Sequence, residues 1–129
     1  MCMADWSDGT MTPLREETRT ARKSHRCNEC NRVIDRGEQY KFEAFVYERQ
    51  IWTYKTCVHC LAVRDWLWEH CGGFLFDMVK EDFLEHKDKQ PGRAVLRAMV
   101  AMDRYQWRMN GKLMPVPELA RGGKYVRST

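Results

Sequence analysis

Two Cys-x-x-Cys pairs constrain this chain more than any other feature: Cys27-Asn28-Glu29-Cys30 and Cys57-Val58-His59-Cys60, separated by residues 31 to 56. Two residues between thiolates let both sulfurs reach one ion at about 2.3 Å, and a second pair completes a tetrahedron. Thiolates are soft ligands, and d¹⁰ zinc accepts a tetrahedron without strain. The expectation is one structural Zn²⁺ on Cys27, Cys30, Cys57 and Cys60. A redox dithiol and an iron–sulfur cluster are the competing readings. The second lacks the clustered or Pro-followed cysteines that such clusters use.

The rest of the composition bounds the class. The chain has 129 residues, 43% hydrophobic and 12% aromatic. That suffices for one packed domain and excludes both a large multi-domain enzyme and wholesale disorder. The first residues, Met1-Cys2-Met3-Ala4-Asp5, lack the basic and apolar regions of a secretory leader. No run approaches the roughly 20 apolar residues of a membrane span. A cytoplasmic location is therefore expected, where clustered cysteines bind metal more often than they pair. Of the six cysteines, Cys71 is then expected as a small buried apolar residue and Cys2 as an exposed thiol. A second metal site combining Cys71 or His70 with His86 or Cys2 is the sharper alternative.

Along the chain, residues 1–24 read as a polar arm in which Thr12-Pro13 could open a short helix. Residues 25–37 read as a metal knuckle, with Asn31 suited to a left-handed backbone. A β-hairpin is expected next. Tyr40, Phe42, Ala44 and Val46 form its inward set, Glu48-Arg49-Gln50 its loop, and 51–56 its return strand. A helix over 57–71, capped by Thr56, would bury Leu61, Leu67, Trp68 and Cys71 and stop at Gly72-Gly73. A second helix falls within 74–86, with Phe76, Val79 and Phe83 aligned. A third spans 93–109 and stops at Asn110-Gly111. Residues 112–129 read as an extended basic tail.

Knuckle, hairpin and a helix opening on the second pair make an α+β arrangement that resembles the treble-clef zinc finger over residues 25–71, on the strength of Cys27, Cys30, Cys57 and Cys60. Two helices and the tail would extend it over 72–111 and 112–129. The run Cys-x-x-Cys-x-x-x-Ile-x-x-Gly-Glu-x-Tyr from Cys27 to Tyr40, and Asp82-Phe83-Leu84-Glu85-His86, also resemble small zinc proteins encoded by bacteriophages. That resemblance implies an accessory protein acting in the cytoplasm of an infected bacterium. The treble-clef group includes a nuclease branch that needs a histidine base, and this hairpin has none. A four-thiolate site is also closed to water. A non-enzymatic binding protein is expected.

Charge suggests where binding happens. Residues 1–60 carry 10 Lys+Arg against 9 Asp+Glu, residues 61–90 carry 4 against 7, and residues 91–129 carry 8 against 2. At about 100° per residue, Arg93, Arg97, Arg104 and Arg108 fall within about 60° of one another on the third helix. They are either the solvated face of a core helix, neutralised by the acidic middle, or a contact for phosphate or acidic protein. With Lys112, Arg121, Lys124 and Arg127 they form the candidate partner-binding set. The partner is expected to be a bacterial host protein that is inhibited or redirected, or a second copy of the chain. DNA or RNA is the alternative. No membrane and no small-molecule substrate is indicated. His59 could replace a cysteine as ligand, but its flanking cysteines make an exposed or capping role the simpler reading. His25 could bond a ligand sulfur, or simply be a solvated basic residue. Trp52, Trp66, Trp68 and Trp107 could stack on bases, but core packing is the simpler reading.

Overall fold

The first element of the computed structural model, which describes residues 12–89 and 91–119, is a strand where the sequence suggested a short helix or loose arm. This strand, β1 (Thr12–Thr20), pairs antiparallel with β4 (Gln39–Tyr47). Its threonines suit extended backbone. Most of its side chains are exposed, so the backbone ladder to β4 holds it more than apolar burial does. Glu16 pairs across the strands with Lys41, whereas Glu17 pairs within β1, with Arg19 at 2.5 Å and Arg15 at 3.8 Å. The Arg19 guanidinium lies 3.8 Å over the Phe42 ring. The register shifts between Pro13 and Arg15, where proline offers no ladder donor.

Strand β5 (Gln50–Cys57) pairs on the other side of β4, giving a three-stranded antiparallel sheet ordered β1-β4-β5. Glu48 and Arg49, at φ 52° and 66°, make the two-residue turn whose twist matches the strands. Strand β4 is paired on both edges, and both its faces are partly covered. Tyr40 and Ala44 are buried as expected, but so is Glu43 from the opposite face. Two short strands, β2 (His25–Arg26) and β3 (Val33–Ile34), form a ribbon around the first cysteine pair. Asn31 adopts φ 67° just after that pair, the left-handed backbone its identity suggested.

Helix α1 (Val58–Cys71) starts at the second pair and stops at Gly72, φ 78°. Its N-cap is Cys57 rather than Thr56. It buries Cys60, Val63, Arg64 and Leu67, with His59 and Trp66 beside them, whereas Trp68 points to solvent. Helix α2 (Val79–Glu85) is shorter than expected, since Asp77 at φ 68° cannot belong to it. A 3₁₀ turn, His86–Lys89, follows.

Helix α3 (Arg93–Tyr105) ends four residues early because Gln106 and Trp107 are both left-handed, φ 50° and 66°. Each such residue costs about 1–2 kcal/mol. Burial of the Trp107 side chain, 1% exposed, offsets this on the scale of about 25 cal/mol per Å². The chain then forms β6 (Arg108–Met109) and β7 (Lys112–Leu113). Asn110-Gly111, at φ 55° and 77°, is the turn of this hairpin and not a helix stop. Ile34, Tyr40, Leu67, Phe83, Met102 and Trp107 lie in one shared core. The architecture is α+β, a three-stranded sheet and three helices with four cysteines between them. Among the described residues, no helix is long and apolar enough to cross a membrane.

Candidate metal centre

The knuckle brings Cys27 and Cys30 to the point where β5 ends and α1 begins, so all four sulfurs of the two pairs lie within 4.8 Å of one another. Each cysteine is at most 2% exposed, and none of the four is in a disulfide. The Cys30 and Cys57 sulfurs are 3.9 Å apart. Ligand bonds of about 2.3 Å place the corners of a tetrahedron about 3.8 Å apart, so the cluster fits one four-coordinate ion.

The surroundings favour negative sulfur. The Glu29 and Cys57 backbone N–H groups both donate to Cys27 Sγ, each at 3.4 Å. Cys57 and Cys60 sit at the N-terminus of α1, whose first turn holds no acid, and the helix dipole favours anions there. Hydrogen bonds with Cys30 lower the Cys27 thiol, and those with Cys27 and Cys30 hold Cys57 far below the ordinary thiol range. Its hydrogen bonds to Cys27 and Cys57 push Cys30 up, and burial pushes Cys60 up. Left to themselves the four sulfurs share their protons. A divalent cation turns all of them into thiolates and releases those protons.

Asn28, Glu29 and Cys30 also each grip a different element. Asn28 exchanges bonds with Lys55 of β5, its N–H reaching the carbonyl at 2.8 Å and its Oδ1 accepting the N–H at 2.6 Å. The Glu29 carboxylate accepts the N–H groups of Asp77 (2.9 Å) and Val79 (3.2 Å), capping α2. Burial raises its pKa to about 7. The Cys30 carbonyl accepts from Gln106 Nε2 at 3.1 Å, just past α3. Neither Glu29 nor Asn28 was singled out by the sequence, because x positions of a Cys-x-x-Cys pair carry no pattern.

Arg32 and His59 were also missed as a unit. Arg32 is buried, donates to Glu38 at 2.8 and 3.2 Å, and approaches His59 Nδ1 at 3.4 Å. His59 Nε2 lies 2.5 Å from the Met114 carbonyl, which can only accept, so that nitrogen carries the proton. The ring packs 5.4 Å from Trp107. His59 thus has a partner at each ring nitrogen and stands outside the four-cysteine group, and it is buried where an exposed or capping role was expected. His25 packs 5.1 Å from the Tyr40 ring. With Arg19, Arg22 and Lys23 it lines a basic hollow of about 710 Å³.

The arginine set separates. Arg93, Arg97 and Arg104 are exposed on α3 and make no ion pair among the described residues. Arg108 lies beyond the helix and reaches Asp35 at 2.7 Å and the Val33 carbonyl at 3.3 Å. It holds the last hairpin to the knuckle and does not belong to the stripe. The acidic middle meets α3 through Lys80 and Asp103 at 3.4 Å, a pair that leaves the arginines alone. Lys112 is exposed on β7, and Arg121, Lys124, Arg127 and Cys2 lie outside the described residues. Trp66 and Trp107 are core residues, whereas Trp52 and Trp68 are exposed. Cys71, expected as inert filler, is half-buried, disulfide-bonded and 3.3 Å from His86 Nε2.

No family of known proteins, no curated protein and no solved structure matches the chain. Its site stands on its own geometry: a buried four-cysteine cluster able to hold one metal ion.

Proposed function

We propose that this chain is a non-enzymatic binding module, a treble-clef zinc finger built around one structural Zn²⁺, that docks through α3 on another protein. The order of knuckle, β4–β5 hairpin and α1 supports the treble-clef reading. Four thiolates suit zinc and leave no coordination position for a reacting water, which supports a structural ion.

One observation carries the docking surface. On its exposed face α3 interleaves Arg93, Arg97 and Arg104 with Leu96 (43% exposed) and Val100 (47% exposed). Leu96 and Val100 are one helical turn apart and form a short apolar row edged by guanidinium groups that make no ion pair among the described residues. That pattern fits an apolar groove with an acidic rim, since arginine makes bidentate contacts to carboxylates and is favoured in interface centres. Two copies of α3 would bring like charges together, which disfavours self-association through this face. The resemblance to bacteriophage zinc proteins makes a bacterial host protein, such as a polymerase, nuclease or defence complex, the partner class to test first.

The test is capture of a stoichiometric acidic partner from nuclease-treated bacterial lysate, repeated with Arg97→Glu and Leu96→Asp. Loss of about 2 kcal/mol or more of binding in either variant is expected for a central contact. Equal capture by wild type and variants would remove α3 from the interface. The basic hollow of Arg19, Arg22, Lys23 and His25 favours a second reading, nucleic-acid binding. Under it, affinity for DNA or RNA falls steeply with salt. Absence of binding at low salt eliminates it.

A further inference from the structure

A second group of ligand-type side chains lies apart from the four-cysteine cluster. Cys71 ends α1, Asp82 lies in α2, and His86 opens the 3₁₀ turn one helical turn later. One donor atom from each, the Cys71 sulfur, an Asp82 carboxylate oxygen and an imidazole nitrogen, lies within 4.8 Å of the others. Asp82 is 1% exposed and His86 is buried. We propose that, in the reduced chain, Cys71, Asp82 and His86 form a second divalent-metal site selective for zinc-like ions.

The orientation of His86 is the strongest sign. Its Nδ1 lies 2.9 Å from the Asp82 carbonyl, and a carbonyl only accepts, so Nδ1 carries the proton. Nε2, the nitrogen left to bind a metal, faces the Cys71 sulfur at 3.3 Å. A histidine ligand is typically oriented in this way, by a hydrogen bond from its other nitrogen to a backbone carbonyl. Zinc bonds of about 2.3 Å to sulfur and 2.0–2.1 Å to nitrogen put the two ligand atoms about 3.5 Å apart in a tetrahedron. The observed separation needs little adjustment. The Trp66 ring, edge-on to His86 at 4.9 Å, shields the imidazole on one side. One sulfur, one nitrogen and one oxygen donor suit zinc, cobalt(II) or nickel(II), and exclude calcium and magnesium, which require oxygen shells.

Cys71 is in a disulfide here, so metal binding and that disulfide exclude each other. A phosphine reductant breaks the S–S bond and is itself oxidised to the phosphine oxide, taking its oxygen from one water whose two protons complete the two thiols. The metal then displaces the Cys71 thiol proton to solvent as the metal–sulfur bond forms. Three protein donors leave one tetrahedral position, which water can fill.

The test loads the full-length, phosphine-reduced protein with zinc and measures ions per chain. The wild type should hold about two ions, one per cluster, and Cys71→Ser and His86→Gln about one each. The structural-zinc reading is tested by the first ion, bound by four thiolates, and this one by the second, bound by mixed donors, so their failures are distinguishable. Cobalt(II) gives a readout independent of variant folding. The second equivalent added to wild type should produce a four-coordinate spectrum with a thiolate charge-transfer band. One ion in the wild type, two ions in folded Cys71→Ser or His86→Gln, or a pale six-coordinate spectrum for the second cobalt equivalent would each overturn the proposal.

Discussion

Arg64 and Glu43 meet through two parallel bonds of 2.9 and 3.1 Å, both side chains buried, with the guanidinium 4.0 Å over the Phe74 ring. The pair joins α1 to the centre of the sheet. Glu43→Ala leaves a buried charge unpaired and should destabilise the fold by about 3–5 kcal/mol, read as a lower denaturant midpoint. A loss under about 1 kcal/mol would mean that the pair is open to water. The sequence could not announce it, because Glu43 occupies what looks like the polar side of an alternating strand and Arg64 the polar side of a helix. Glu38 yields a pH prediction. Partial burial opposes its ionisation, but hydrogen bonds from Arg32 and from the Asp35 N–H outweigh this and lower its pKa. Arg108, 3.8 Å away, also favours the carboxylate, whereas the Asp35 charge opposes it. A folded-state pKa below the unfolded one gives stability that is complete above the unfolded value and lost as pH falls through the folded value. Glu38→Gln should therefore flatten part of the acid limb of stability against pH, measured by urea unfolding between neutral pH and pH ~3. An unchanged limb would contradict the assignment.

At the level of elements, legibility followed the kind of force involved. The four cysteines, the hairpin and the start of α1 were legible because ligand spacing and apolar alternation are written locally. Strand β1 was not. It is exposed along most of its length, and its hold on β4 comes from the backbone ladder, with Glu16–Lys41 and Arg19–Phe42 across it, contacts that exist only once the strands pair. The end of α3 was hidden for a related reason. Residues 93–109 keep a helical pattern, yet Trp107 leaves the helix to pack on His59 and the core. Truncation at Trp107 should reveal that this is a structural joint: Trp107→Ala is expected to cost about 3–5 kcal/mol. Arg97→Glu on the exposed face of the same helix should shift stability by no more than about 0.5 kcal/mol. Both are read by thermal or denaturant unfolding. Comparable losses in the two variants would mean that the exposed face of α3 is packed after all.

For the molecule as a whole, the knuckle is the common attachment point. Asn28 ties it to β5, Glu29 to α2, Cys30 to the end of α3, and Arg32 with His59 to the segment at Met114. The four sulfurs sit at the centre of these bonds. An ion there would fix the geometry of every attachment at once, so its loss should release the whole fold, as it does in small domains stabilised by a structural metal. This is also why a charge of +4 for the full chain says so little: the cluster core organises the fold, and the exposed arginines stand apart on α3. The most direct test is circular dichroism of the reduced protein during thermal unfolding, with and without a zinc chelator. Cys71→Ser serves as the background, so that only the four-cysteine site is in play. The account predicts that chelation abolishes the cooperative transition and that added zinc restores it. A metal-free chain that keeps its spectrum and melts cooperatively at the same temperature would contradict it.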